Sequence, residues 1–208
     1  MMSSHEIAEM GQGLGPDVIA RCRELFDAEQ RALALALPVS HADVPYGADE
    51  RQVLDIYAPP KSGGPMPVLV FFHGGGFVRG DKGGATGWHN ASVARMAAKA
   101  GFLGVAANYR LAPQHKFPAG AEDVAAVVDW LRIHAAEYGA DPARICVAGT
   151  SAGAVHVAGY LDLRKDTAKA EIAGAVLLPY TQAKHALDRL KRLSMGRDLP
   201  DAGAVARH

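Results

Sequence analysis

The sequence predicts an α/β protein, an open and mostly parallel sheet with helices packed on both of its faces. Two observations carry that expectation. Four continuous apolar runs, at residues 68–72, 102–107, 145–148 and 172–178, have the composition of strands buried on both faces, the environment of a parallel sheet. The stretches between them have helical spacing, and parallel neighbours need such crossovers. A chain of 208 residues is also long enough to bury about 70% of its unfolded surface, so a single core suffices without disulfide or metal staples.

The elements follow in order. Val18, Ile19, Cys22, Leu25 and Phe26 recur at helical intervals behind Pro16, and Pro38 closes the run, so residues 1–40 are expected to form a helical segment that covers something. Residues 41–47 and 52–59 are short, β-branched or alternating, and separated by Gly47-Ala48-Asp49-Glu50, the pattern of a hairpin. Prolines and glycines over 59–65 make a loop. Within 92–100, Val93, Met96, Ala97 and Ala100 share one helical face ahead of Gly101. Within 121–138 the face is Val124, Val127, Val128, Leu131 and Tyr138. Glu122 and Asp123 sit in its first turn and Gly139 just past its end, so these carboxylates are expected to serve the helix dipole rather than chemistry. Residues 151–163 form a third, small-residue-rich helix ending at Arg164-Lys165.

Charge and cysteine usage narrow the function classes. Twenty-two basic residues balance 22 acidic ones, with the signs interspersed, which disfavours a nucleic-acid partner. Cys22 and Cys146 lie far apart and outside any metal-ligand spacing, so no metal site and no disulfide framework is expected, and Cys146 reads as a small core residue. The apolar runs are far shorter than the roughly 18 residues of a membrane span, and the N-terminus lacks a basic region followed by an apolar one. A cytoplasmic protein is the expectation.

Two motifs carry chemistry. Gly149-Thr150-Ser151-Ala152-Gly153 falls where a buried strand gives way to a helix. A nucleophilic serine needs this context: the turn lifts Oγ to the sheet edge, the flanking glycines make room, and the Ala152 amide and helix N-terminus face developing negative charge. His73-Gly74-Gly75-Gly76-Phe77 follows the first buried strand directly. Consecutive glycines let backbone amides approach a ligand unobstructed, as an oxyanion hole requires. A phosphate-binding loop fails on spacing, because Asp81 stands where lysine is needed and no Ser or Thr follows Lys82. Three adjacent glycines are likewise not the dinucleotide fingerprint.

With Asn108-Tyr109-Arg110-Leu111-Ala112-Pro113 and Phe117-Pro118-Ala119 lying between them, the two motifs resemble the hormone-sensitive-lipase-like branch of the α/β-hydrolase superfamily over residues 43–178. The N-terminal helix is similar to the lid region of such esterases. The resemblance implies an α/β-hydrolase domain over 41–208, Ser151 as nucleophile, and the amides of Gly75, Gly76 and Ala152 as oxyanion hole, with His73, Gly74, Gly149 and Gly153 shaping the two loops. It implies small-molecule carboxylic esters as substrates, with neither metal nor organic cofactor. Gln114 departs from the usual Glu after Ala-Pro.

A larger departure comes at the end. Family members continue through two further strands that bring the acidic triad member and the histidine base. Here residues 183–193 read instead as a basic amphipathic helix, and 180–208 hold no strand-like run. The expectation is a hydrolase domain truncated before its acid and base, with its C-terminal strands missing, hydrolysing esters weakly or not at all. Residues 172–178 would then be an unprotected edge that invites self-association.

No internal histidine is an obvious substitute. His156 lies five residues past Ser151 on one helix, rotated by about 140° and displaced by roughly 7.5 Å, so it should face away. His73 is expected to brace its loop, and His89, beside Trp88, is a candidate for lining a pocket. His115, His134 and His185 read as ordinary surface or core residues, and His208 is a chain end. An amidase or formamidase of the same fold, or a catalytically dead relative that binds a ligand, are the alternatives.

Overall fold

The computed structural model describes residues 16–60, 63–83 and 88–178. Helix α1 (Pro16–Ala36) leads into β1 (His41–Pro45), β2 (Val53–Tyr57) and β3 (Met66–Phe72). These are followed by α2 (Trp88–Lys99), β4 (Leu103–Ala107), α3 (Ala119–His134), a 3₁₀ turn (Ala135–Tyr138), β5 (Ala140–Thr150), α4 (Ala152–Leu163), the one-turn α5 (Ala168–Glu171) and β6 (Gly174–Leu178). The strands form one sheet in the order β1-β2-β4-β3-β5-β6. The pairs β3–β4, β3–β5 and β5–β6 are parallel, whereas the hairpin strands β1 and β2 join antiparallel.

Side-chain alternation assigns the two faces. In the central strand, Val68, Val70 and Phe72 point to one side, with Leu54, Ile56, Leu103, Val105, Ile145 and Val147 of its neighbours. There they pack under Val124, Val127, Val128 and Leu131 of α3 and Val157 and Tyr160 of α4. On the other side Tyr57 and Ala106 meet Ala91, Ala94 and Ala98 of α2, capped by Leu33 and Leu37 at the end of α1. Helices thus cover both faces, as the alternation of buried runs and amphipathic stretches predicts. The hairpin, the crossover helices and the strand before Ser151 all form.

Several boundaries differ from the sequence reading. The helix expected over 121–138 ends at His134 and tightens into the 3₁₀ turn, which Gly139 stops at φ 75°. The strand expected at 145–148 begins at Ala140, because Met66 pairs there before the register slips to Val68–Ile145. The strand expected at 172–178 begins only at Gly174; among the described residues it pairs with β5 alone, at the edge position the sequence reading expects, and Val176, Leu177 and Leu178 are exposed.

Asp123 requires a correction. It does not merely face the dipole of α3: it is completely buried and accepts hydrogen bonds from the Arg110 amide at 2.7 Å, from Arg110 Nε at 2.9 Å and from Gln52 Nε2 at 2.8 Å. One carboxylate therefore ties the β1–β2 turn and the segment after β4 to the start of α3. Among the described residues, no helix is long and apolar enough to cross a membrane, and no three His, Cys, Asp or Glu side chains cluster as metal ligands. The helix expected at 183–193 lies outside the described residues, as do His185 and His208.

Candidate active site

Ser151 is the single residue between the end of β5 and the start of α4, and its backbone lies at φ 50°, ψ −117°. That is strained ground for a side-chain-bearing residue, and its neighbours hold it there. Its amide donates to the carbonyl of Leu178 at 3.2 Å, and its own carbonyl accepts from the Val155 amide, opening α4. Its side chain makes no capping hydrogen bond, so Oγ is not spent on the helix terminus.

Gly153 shows why the turn needs small residues. A Cβ there would collide with the carbonyl oxygens of Phe72 and His73, because the first turn of α4 runs directly against the end of β3. The glycine loop begins at that same strand end. Gly75, at φ 140°, is turned so that a Cβ would strike the Arg79 carbonyl, while its own carbonyl accepts the amides of Val78 and Arg79. The loop therefore closes on itself in a tight turn.

The two motifs meet. A Cβ built on Gly74 would lie 3.3 Å from the Ser151 Cβ and 3.4 Å from the Thr150 carbonyl oxygen, ordinary contact distances or tighter. They come together because Phe72 and Gly149 are register partners at the C-terminal ends of two adjacent parallel strands, the end at which open sheets bind ligands. Gly74 therefore lies beside Ser151, with Gly75 and Gly76 next in the chain, and Ala152 begins the adjoining helix. Amides at a helix N-terminus and along a glycine loop can receive an oxyanion.

His73 is buried under the loop. Its Nδ1 lies 2.7 Å from the Gly74 carbonyl, an acceptor, so Nδ1 carries the proton. Its ring stacks on Tyr109 with centroids 4.4 Å apart, and the Tyr109 hydroxyl donates to its carbonyl at 2.9 Å. Burial pushes its pKa down to about 4, so the ring is neutral at pH 7. His156 is turned into the core, against Phe77, Tyr109 and Gly120, and burial likewise pushes it down to about 4. Neither of its ring nitrogens has a hydrogen-bond partner among the described residues.

The remaining described histidines are elsewhere. His115 faces Asp49 at 3.2 Å, His134 faces Glu137 at 2.8 Å, and His41 packs edge-on against Tyr138. His89, in the first turn of α2, is partly buried, which lowers its pKa. Among the described residues no histidine is hydrogen-bonded to Ser151.

Sequence reasoning gives Asp123 only a helix-dipole role and names Tyr109 only within the motif at 108–113, and it does not single out Arg51 at all. For Asp123 a signal existed: it precedes Val127 and Leu131 at i, i+4 and i+8, on the buried stripe of α3. For Arg51 there was none.

In sequence and in fold the chain is similar to known esterases. The sequence model of the BD-FAE family matches residues 54–186. Esterase LipI of Mycobacterium tuberculosis is 43% identical over 100 residues, covering 47% of this chain and 30% of LipI. Carboxylic ester hydrolase LipN of the same organism is 35% identical over 150 residues, covering 69% of this chain and 39% of LipN. Among solved structures, an esterase of Pyrobaculum calidifontis superposes with a TM-score of 0.56 at 29% identity, covering 85% of this chain and 58% of that one. The chain thus spans well under half the length of these two curated relatives.

Proposed function

The chain belongs to the BD-FAE family and carries the α/β-hydrolase fold of hormone-sensitive-lipase-like esterases, and from that premise we propose that it cleaves carboxylic esters through an acyl-enzyme at Ser151. The closeness of Gly74 to Ser151, where a Cβ on the glycine would come within 3.3 Å of the serine Cβ, supports the reading most directly, since it sets a glycine loop and a serine that does not cap its helix side by side. In this reaction Oγ bonds to the ester carbonyl carbon, and the amides of Gly75, Gly76 and Ala152 receive the charge that develops on the carbonyl oxygen. Collapse breaks the bond to the alcohol, which leaves with the serine proton. Water then attacks the acyl group, the acid departs, and the serine hydroxyl is restored. Small-molecule esters are the substrates, and the steps as written use neither metal nor organic cofactor.

Proton transfer calls for a histidine base oriented by an acid, and no described histidine bonds Ser151. Weak turnover is therefore part of the proposal. The same observation favours a second reading, a relative that binds ligand without turning it over. A domain division at residue 40, with α1 as a lid-like segment, also belongs to the proposal, as does self-association through β6. A cytoplasmic location fits a chain in which neither Cys22 nor Cys146 forms a disulfide, and the balanced charge argues against nucleic acid as partner.

The test uses a fluorophosphonate probe, followed by peptide mass mapping, beside hydrolysis of short-chain p-nitrophenyl esters and the matching anilides. The expected result is labelling on Ser151 and slow ester turnover, roughly 10³–10⁴-fold over water, both lost in Ser151→Ala. Anilide cleavage exceeding ester cleavage would make the protein an amidase. Turnover unchanged in Ser151→Ala would remove the serine from the mechanism, and ligand binding without labelling or turnover would favour the second reading.

A further inference from the structure

The glycine loop owes its place to its far end as much as to β3. Gly80, at φ 115°, returns so close to the start of the loop that a Cβ there would collide with the Gly74 carbonyl and the His73 ring. Gly74 in turn lies so near Ser151 that a Cβ on it would come within 3.3 Å of the serine Cβ, so a shift of Gly80 and the Gly74 carbonyl would be felt beside the serine. Gly80 is itself held by a side chain from a distant part of the sequence: Arg51 Nη2 donates to its carbonyl at 3.0 Å. The Nε of the same guanidinium donates to the Tyr109 carbonyl at 2.9 Å. Tyr109 carries the hydroxyl that holds the His73 carbonyl, so the guanidinium and the phenol grip the loop at its two ends.

The residue that reaches across is firmly seated. Arg51 lies in the β1–β2 turn, where its amide donates to Asp49 Oδ1 at 2.9 Å and the next residue, Gln52, donates through its side chain to the buried Asp123. Gln52 also accepts the Tyr46 amide and donates its own to Asp49, closing the turn. A planar guanidinium is well matched to two carbonyls on different segments, because its fork presents two N–H groups in fixed relative directions, whereas a lysine ammonium is a point charge on a flexible stem. Hydrogen bonds with one charged partner are also roughly twice as strong as neutral ones.

We propose that Arg51 is a positioning residue for the glycine loop, joining Gly80 to Tyr109 so that Gly74, Gly75 and Gly76 are held in the register with Ser151 that oxyanion donors require. The side-chain hydrogen bonds of Arg51 go to Tyr109 and Gly80 and not to Ser151. It acts through the loop, and this role rests on the ester-hydrolase reading given above. Donors of this kind must sit within about 3 Å of the reacting oxygen, and a misplacement of about 1 Å can cost a hundredfold in rate.

The experiment compares wild type, Arg51→Ala and Arg51→Lys by two readouts. Hydrogen–deuterium exchange on peptides spanning residues 73–83 tests the clasp without reference to activity. The expected result is exchange at least tenfold faster in Arg51→Ala, with peptides of β3, β4 and β5 unchanged. Unchanged exchange in 73–83, or faster exchange spread equally over the strands, overturns the proposal. The rate of Ser151 labelling and the steady-state constants then test the consequence. Labelling rate and kcat are expected to fall about 10- to 100-fold in Arg51→Ala with KM within threefold, and Arg51→Lys should lie between. Full activity in Arg51→Lys, or a loss confined to KM, overturns the positioning role. If wild type is neither labelled nor active, the hydrolase reading fails while the exchange data still decide whether Arg51 holds the loop.

Discussion

The hydroxyl of Tyr109 donates to the carbonyl oxygen of His73 at 2.9 Å while the two rings stack face to face. Tyr109 is completely buried, so nothing from solvent replaces that donor. Tyr109→Phe keeps the stack and leaves a buried carbonyl without it, which is expected to cost about 1–3 kcal/mol. Urea unfolding of the variant measures this directly. A loss below about 0.5 kcal/mol would mean that another donor serves His73.

Asp123 and Glu122 are neighbours in the chain with opposite environments. Asp123 is buried and holds Arg110 and Gln52, whereas Glu122 is largely exposed and reaches Arg110 at 3.3 Å. Asp123→Ala leaves the Arg110 amide and Gln52 Nε2 without the buried acceptor that holds them, so it should lose about 3 kcal/mol or more. Glu122→Ala should lose far less, because exposed pairs are weak. Equal midpoints for the two variants in a denaturant titration would contradict the buried clasp.

Stability should decline on mild acidification. Burial lowers the pKa of both His73 and His156 from 6.5 to about 4, so the folded protein stays neutral at these sites while the unfolded chain takes up protons. Their contribution is therefore complete above about pH 6.5 and is lost as pH falls toward 4, where it levels off. Unfolding free energies at pH 7.5, 6 and 5 should show that slope, and it should be shallower in His156→Leu. An identical slope in the variant would show that His156 is not one of the groups responsible.

The edge of the sheet should drive association. Strand β6 presents Val176, Leu177 and Leu178 to solvent with none of the charges that blunt natural edges. Light scattering during size-exclusion chromatography is expected to show concentration-dependent oligomers, reduced in Val176→Lys. A monodisperse monomer at all concentrations would mean that the edge is covered.

Much of the architecture was legible in the sequence because its signals are local. The apolar runs that become β3 and β4, the helical stripes of α2 and α3, and the strand-to-helix turn around Ser151 each depend on residues a few positions apart, where backbone geometry repeats. The two glycine motifs were visible for the same reason: close backbone approach excludes a Cβ, and that exclusion is written residue by residue. What only the tertiary structure decided are the partnerships between segments. Arg51 finds Gly80 across 29 positions and Tyr109 across 58, and Gln52 finds Asp123 across 71. His156 vanishes into an aromatic pocket made by Phe77, Tyr109 and the backbone at Gly120. Periodicity marks which face of an element is buried but not which polar group waits there. The partner of a buried charge is chosen by the packing of whole elements, and that choice leaves no local trace.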